Sequence, residues 1–251
     1  QVPIASVSGD DIRTFLDGLK LSPRSHNNFL GAITRLFEFA KGRKLLPADH
    51  DESSGIDPMK DKGGEIEIYT PAELARLLPR ADDDILPAFA IAAFAGLRSA
   101  EIERLDWSEV HLDERFIEVK AGKAKTAARR VVPITDNLAE WLQPLAEKSG
   151  PVWELGHAYF YQRLRETAEA TGSEAVKAVQ WKHNALRHSF ISYRVAHTQN
   201  VNQVALEAGN SPSMIFQHYR ELVTKKQADV WFGIVPSGGD TMPVVKQAVA
   251  A

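Results

Sequence analysis

The feature that most constrains this 251-residue chain is a fixed order of short polar motifs in its second half. Asn-Ala-Leu-Arg-His-Ser-Phe occupies 184–190, Ala-Gly-Asn-Ser-Pro-Ser-Met occupies 208–214, and His218-Tyr219 follows. Upstream, Ala-Gly-Leu-Arg-Ser-Ala-Glu-Ile occupies 95–102. An arginine, a helix expected to be buried, a Gly-Asn turn and a tyrosine expected to be exposed therefore follow one another along the chain.

These motifs resemble the active-site boxes of the tyrosine recombinase (phage integrase) family, and the match covers about 70–232. The resemblance implies that Tyr219 is the nucleophile for DNA strand cleavage. It implies that Arg98 and Arg187 hold the scissile phosphate, and that Glu101 buttresses the site. Tyr193 is a competing tyrosine, but its apolar neighbours at helical spacing favour a place in the core.

Transesterification at a DNA phosphate explains why these residue types belong together. A nucleophile must attack phosphorus, fixed cations must hold the oxygens that gain charge, and the leaving 5′-oxygen needs a proton. Guanidinium groups suit the second task, because they bind phosphate in a bidentate manner and stay charged at neutral pH. For a lone Gly-Leu-Arg, a surface pair of Arg98 with Glu101 or Asp106 is the simpler interpretation.

A lysine in the turn between two predicted strands is the candidate general acid. Lys125 is similar in position to the β-hairpin lysine of the family, shortly before the strand that starts at Arg130. Lys123, at the tip of the same turn, is the rival. If neither takes part in catalysis, both are expected to contact backbone phosphates.

Two asparagines depart from the family pattern. Asn184 stands where the family usually has His, and Asn210 stands where it usually has His or Trp. An amide donates hydrogen bonds to phosphate oxygens, so Asn210 suits a donor role. Asn184 accepts no proton near neutral pH, and loss of a general base costs ~10²–10⁴-fold in rate. Three histidines are candidates for a supporting role in its place: His183, His188 and His218.

Charge distribution favours a DNA partner even though the formal net charge is −3. Basic residues concentrate in 119–130 and 177–226, around the motifs, whereas acids gather elsewhere. The expected DNA contacts are Lys120, Lys123, Arg129, Arg130, Lys182 and Arg220. The chain has no cysteine, and its eight histidines are scattered, so no metal site is expected.

Periodicity and turn signals predict a mainly α fold with a small antiparallel β-sheet (α+β). A tyrosine-recombinase-like catalytic domain is expected at 67–236, after the C-terminal part of a helical core-DNA-binding domain at 1–46 and a polar linker at 47–66. A loose tail is expected at 237–251, and the family resemblance allows its apolar stretch to dock on a neighbouring protomer. Strands are predicted at 107–112, 116–120 and 130–134. One helix is predicted at 8–19, a second begins after Ser22-Pro23, and a third begins at Thr70. Further helices are predicted at 84–95, 99–105, 136–145, 159–171, 184–197, 200–208 and 211–218.

The sequence thus predicts a site-specific DNA recombinase or integrase that acts through a 3′-phosphotyrosine without a cofactor. The expected partner is double-stranded DNA, on which the chain forms an oligomer, from dimer to tetramer. No membrane partner is expected, and the expected location is the cytoplasm of a bacterium or of a phage-infected cell. The main alternative is a DNA-binding protein that kept the arginine clamp, Arg98 and Arg187, and lost catalytic turnover. A helical regulatory protein without phosphate chemistry is a third.

Overall fold

The computed structural model describes residues 2–61, 66–122, 129–219, 223–237 and 244–245. The chain forms two compact units, Gln1–Glu65 and Ile66–Ala251. The helices are α1 (Gly9–Gly18), α2 (Pro23–Gly42), α3 (Pro71–Leu77), α4 (Leu86–Phe94), α5 (Ser99–Ile102), α6 (Asp136–Leu142), α7 (His157–Glu169), α8 (Ala185–Thr198), α9 (Val201–Ala208), α10 (Pro212–His218) and α11 (Lys225–Phe232). The strands are β1 (Val110–His111), β2 (Phe116–Val119), β3 (Arg130–Pro133), β4 (Ile234–Val235) and β5 (Val244–Val245). The predicted fold class, mainly α with a small antiparallel sheet, is confirmed.

The first unit is built from α1 and α2, and the segment after them packs back onto these helices. Leu46 and Ile56 join the buried cluster of the two helices. The Glu52 carboxylate accepts a hydrogen bond from the backbone N–H of Gly9 at 2.7 Å. As predicted for 47–66, the described part of this segment contains no helix or strand. It is not an extended linker over that part, because its apolar and polar anchors fix it to α1 and α2.

The core of the second unit is built around α4, which is apolar on every side. All residues from Pro87 to Phe94 are buried. Burial on all faces requires neighbours all round, and α6 and α8 pack directly against this helix. Trp231 of α11 closes the core, since its ring stacks on Tyr193 at 4.3 Å and its indole N–H donates to the Ala93 carbonyl. Tyr193 therefore lies in the core, as predicted.

The three-stranded sheet has the order β1–β2–β3, with both pairs antiparallel. Ile117 of β2 pairs with Val132 of β3, and both side chains are fully buried. The strand predicted at 107–112 is wrong over its first half, where Trp107–Glu109 forms a 3₁₀ turn. The Asp106 side chain caps this turn by accepting from the backbone N–H of Ser108 at 2.9 Å, which a strand does not permit. Strand β3 then packs against α9 and delivers Arg130 to the end of that helix.

Two glycines in left-handed conformation end the helices that lead into the polar motifs. Gly96 follows α4 with φ +62°, and a Cβ there would lie 2.1 Å from the ring of Phe190. Gly209 follows α9 with φ +62°, and a Cβ there would lie 3.2 Å from the Arg130 guanidinium. Only glycine meets both demands without strain, so these turns fix where Arg98 and Asn210 point.

The tail expected to be loose contains one ordered pairing. Val244–Val245 pairs antiparallel with Ile234–Val235 of the same chain. The strand partner of Val244–Val245 thus lies in the same chain, and not on a neighbouring protomer as the family resemblance allowed. Residues 248–251, the rest of the apolar stretch, lie outside the described residues. Within the described ranges, no helix is both long and apolar enough to cross a membrane.

Candidate active site

Arg98 lies at the turn between α4 and α5, where its backbone and side chain both bind Glu101. The backbone N–H donates to the Glu101 carboxylate at 2.9 Å and the guanidinium donates at 3.0 Å. A second nitrogen donates to the Gly209 carbonyl at 2.6 Å and to Asn210 Oδ1 at 3.1 Å. The pair with Glu101 is thus only part of its role, since Arg98 also links the α4–α5 turn to the Gly209-Asn210 turn, which is more than 100 residues away in sequence.

Arg187, in the first turn of α8, converges on the same point. Its guanidinium donates to the carbonyls of Gly96 and Ala208, and to Asn210 Oδ1 at 3.1 Å. Burial lowers the pKa of Arg187 to about 9, and the neighbouring Arg98 cation acts in the same direction. The group still carries its charge at neutral pH. Two cations this close stabilise an anion placed between them.

Asn210 ties the two arginines together through a single oxygen. Its Oδ1 accepts from both Arg98 and Arg187 at 3.1 Å. The amide nitrogen is therefore directed away from the guanidiniums, and the described residues offer it no acceptor. An amide in this orientation has its N–H groups available to a ligand, and the donor role of Asn210 stays a prediction.

Glu101 is the buried counter-ion of the site, with its side chain 1% exposed. It accepts two hydrogen bonds from Arg130, at 2.7 and 3.0 Å, in addition to those from Arg98. Burial acts to raise the pKa of Glu101, but the hydrogen bonds from Arg130 and Arg98 outweigh it and hold that pKa below its usual value. The carboxylate is therefore ionised and holds both guanidiniums; its part in catalysis stays a prediction.

Arg130 corrects one prediction from the sequence. It was expected to contact DNA, yet its side chain is only 10% exposed. Besides the pair with Glu101, its Nε donates to the Glu207 carbonyl at 3.0 Å. The reason is register: β3 alternates, and the side chain is aimed at the ends of α5 and α9 rather than at solvent.

We expect Glu101→Gln to lower the free energy of unfolding by about 3 kcal/mol, because it leaves two largely buried guanidiniums without a counter-charge. Since the folded pKa of Glu101 is lowered, this stabilisation is complete above the ordinary glutamate pKa of about 4.3 and is lost as the pH falls through the folded value. Urea unfolding at a series of pH values should show that the difference in free energy of unfolding between wild type and Glu101→Gln becomes smaller as the pH is lowered.

The matched control is Glu103→Gln. Glu103 pairs with His157 at 2.9 Å, and that histidine side chain is 69% exposed. A pair with one solvent-exposed partner is expected to contribute about 1 kcal/mol, so a loss equal to that of Glu101→Gln would contradict the stabilising role of Glu101.

Tyr219 directly follows α10 and is buried, not exposed as the sequence suggested. Its side chain belongs to an apolar cluster with Phe190, Ile191 and Ile215 and is 6% exposed. Only its hydroxyl meets a polar partner, His188 Nδ1, at 2.7 Å. Burial raises the pKa of Tyr219, and the nearby Arg187 cation acts in the opposite direction. The phenol is therefore protonated at neutral pH and is fixed beside the arginine clamp.

The other supporting candidates lie around the start of α8. Asn184 precedes the helix in the left-handed region, φ +57°, with an exposed side chain. His183 lies before the first residue of the helix, and its ring stacks on Tyr161 at 5.9 Å. His218 ends α10 and is exposed. Among the described histidines, only His188 contacts the tyrosine.

A cleft of about 380 Å³ opens beside the two arginines. Its lining includes Arg98, Arg187, His188, His183 and Asn184, together with the aromatic side chains of Trp181 and Tyr161. Tyr161 is a wall residue that the motifs did not identify; its hydroxyl bonds Ser99 at 2.8 Å. The only signal for it in the sequence is its place on the helical segment 157–169, which does not distinguish a site wall from a surface.

The remaining basic candidates divide into three groups. Lys182 donates to the Ile68 carbonyl and to Glu73, both at 3.0 Å, and is 17% exposed, so the structure does not favour the DNA contact predicted for it. Lys120 pairs with Glu109 and Arg129 pairs with Glu118, but both basic side chains remain more than half exposed. Lys123, Lys125 and Arg220 lie outside the described residues.

The chain is similar to known recombinases and integrases in sequence and in fold. Tyrosine recombinase XerC of Pseudomonas fluorescens is 25% identical over 229 residues, which cover 84% of this chain and 73% of XerC. The Tn1549 transposon integrase in complex with circular intermediate DNA has a TM-score of 0.66 at 18% identity, over 91% of this chain and 85% of that one. A lambda integrase dimer bound to a COC′ core site has a TM-score of 0.68 at 14% identity, over 89% and 84%. At such identities these two structures show a shared fold.

The family comparison is decisive for membership. Residues 70–225 match the model of the phage integrase family. That range is more than half of the chain, and it contains the two arginines, Glu101, Asn210 and Tyr219. The chain belongs to the phage integrase family.

Proposed function

We propose that this chain is a site-specific DNA recombinase that cuts and rejoins strands through a 3′-phosphotyrosine, with Tyr219 as the nucleophile. The observation that carries the proposal is the convergence of Arg98 and Arg187 on one oxygen of Asn210, beside a buried tyrosine. The turn before α5, the first turn of α8 and the two ends of α10 supply these groups. Similarity to XerC and to integrases whose structures contain DNA supports the same function.

The arginine clamp would hold the scissile phosphate. Each guanidinium already uses part of its fork on protein oxygens, and this fixes the direction of the remaining N–H groups. Preorganised donors stabilise developing charge at no reorganisation cost during the reaction. Asn210 would add a donor from its amide nitrogen.

Tyr219 would attack phosphorus, and the 5′-oxygen would leave. We assign protonation of that oxygen to Lys125 by family resemblance, with Lys123 as the rival; both belong to the segment between β2 and β3 that lies outside the described residues. The phosphotyrosine bond conserves the energy of the cleaved bond, so rejoining needs no nucleotide. Attack of another 5′-hydroxyl on this bond would complete strand exchange.

We further propose that the chain acts on double-stranded DNA as a dimer to tetramer, inside the cytoplasm of a bacterium or of a phage-infected cell. The DNA-bound dimer of lambda integrase supports the assembly. In this proposal the helical unit before the catalytic domain embraces the duplex, with Lys120 and Arg129 as further backbone contacts.

Covalent capture tests the function and does not require the target sequence to be specified. The chain is incubated with a library of randomised nicked duplexes, in which the fragment released by cleavage diffuses away and traps the adduct. We expect a denaturant-stable protein–DNA adduct whose peptide mapping places the nucleotide on Tyr219. The captured sequences then define the site for later measurements.

The same experiment distinguishes the recombinase from a catalytically impaired DNA-binding protein. Asn184 is the observation that favours this alternative, since an exposed amide at that position cannot act as a base. Enrichment of one sequence by binding, with no adduct at any pH, would support the binder and refute the enzyme.

A further inference from the structure

The structure contains a proton acceptor for the nucleophile at a position other than that of the missing histidine. We propose that His188 is a catalytic residue that takes the phenolic proton of Tyr219 when the tyrosine attacks phosphorus. This inference rests on the proposed function and deepens it.

The imidazole and the phenol are in direct contact. His188 Nδ1 lies 2.7 Å from the Tyr219 hydroxyl, within the range for direct proton transfer. The ring centroids are 5.7 Å apart, and the two ring planes are tilted by 34°. Asn184, which occupies the usual position of the base, has an amide that does not accept a proton.

The direction of this hydrogen bond follows from the needs of the hydroxyl. The Tyr219 hydroxyl has one proton, and the described residues offer it no acceptor besides His188. If Nδ1 carried a proton and donated, the buried hydroxyl would lose its acceptor, which costs about 1–3 kcal/mol. The hydroxyl therefore donates, and His188 is neutral with its proton on Nε2.

Burial, together with the neighbouring charges, keeps the imidazole of His188 neutral. Burial lowers the pKa of His188 to about 4, and the Arg187 cation and His183 act in the same direction. Among the described residues, the titratable groups that face it are Arg187 from α8, His183 before α8 and Tyr219 after α10. The ring is thus unprotonated at neutral pH, and it accepts a proton at the moment when the phosphate gains negative charge close by.

Bonds and protons balance in the proposed step. The Tyr219 oxygen–phosphorus bond forms while the phosphorus–O5′ bond breaks, the phenolic proton moves to His188 Nδ1, and the leaving O5′ takes a proton from the general acid. The imidazolium then lies next to a phosphodiester anion instead of a phenol. Rejoining runs in reverse, with His188 returning the proton to the tyrosine as it leaves.

The pH dependence of adduct formation in His188→Gln tests this role. The substrate is the captured site with sulfur in place of the bridging 5′-oxygen, because a thiolate leaves without a proton and removes the general acid from the measurement. We expect a wild-type rate independent of pH between about pH 6 and pH 8, where the imidazole is neutral. His188→Gln should be ~10²–10⁴-fold slower near neutral pH, and its rate should rise about tenfold per pH unit because only ionised tyrosine attacks.

Two further variants make the result decisive. His197→Gln changes another histidine of α8, one that pairs with Asp229 at 3.1 Å, and should leave the profile of wild type. If His183→Gln acquires the slope and His188→Gln does not, the base is His183 and the inference is overturned. A uniformly slower but flat profile in His188→Gln would mean that His188 only positions the tyrosine, which also overturns it.

A measurement without DNA keeps the two proposals separable. Nitrogen-15 NMR of histidine-labelled protein should show His188 protonated on Nε2 and not on Nδ1 at neutral pH. The opposite tautomer overturns the inference even if adducts form. Absence of any wild-type adduct, by contrast, refutes the proposed function itself.

Discussion

A Tyr219→Phe variant should form no covalent adduct with the captured DNA site under any condition. The phenol oxygen is the atom that becomes bonded to phosphorus, so its removal eliminates the reaction rather than slowing it. The ring stays in its apolar cluster, and only the hydrogen bond to His188 is lost. We therefore expect DNA affinity to change little, and the free energy of unfolding to fall by about 1 kcal/mol. Denaturing electrophoresis and a binding titration on the same DNA measure the two effects.

Tyr193→Phe is the control for damage to the fold. Tyr193 is also a buried tyrosine with one hydroxyl contact, a donation to the Tyr69 carbonyl at 2.9 Å. Its loss should cost a similar amount of stability and leave adduct formation intact. An adduct that persists in Tyr219→Phe, or disappears only in Tyr193→Phe, would assign the nucleophile to a residue other than Tyr219.

Arg187→Lys should reduce the rate of adduct formation by at least ~10²–10³-fold while keeping the charge. An ammonium cannot reach the carbonyls of Gly96 and Ala208 and the Asn210 amide at once and still face a phosphate. Unsatisfied buried carbonyls should also lower the free energy of unfolding by about 1–3 kcal/mol. Single-turnover kinetics and urea unfolding separate the two losses.

The matched substitution is Arg163→Lys on α7. Arg163 binds Asp82, Asp84 and Glu166 on the surface of the second unit and contacts none of the site residues. Arg163→Lys should lower the free energy of unfolding slightly and leave the rate of adduct formation unchanged. Equal rates for Arg187→Lys and wild type would show that charge alone suffices, and would remove the bidentate clamp from the mechanism.

Local patterns in the sequence were sufficient for much of the fold. Capping serines and the helical spacing of apolar residues act within a few residues, so the helices that they specify could be predicted from the sequence. The 3₁₀ turn at Trp107–Glu109 was not predicted, because a side-chain cap at Asp106 competes there with strand pairing. The packing of 47–61 on α1 and α2 depends on distant partners such as Gly9 and was missed for that reason.

The sequence by itself determined which chemical groups are present, their order along the chain and the helices next to which they lie. It could not decide how each group is used, because that depends on contacts between residues about 20 to 110 positions apart. Tertiary packing turned Arg130 inward to Glu101, fixed Lys182 on Glu73, and buried Tyr219 beside His188. The physical reason is that a buried charge or hydroxyl must find its partner inside the fold, and only the assembled core supplies that partner.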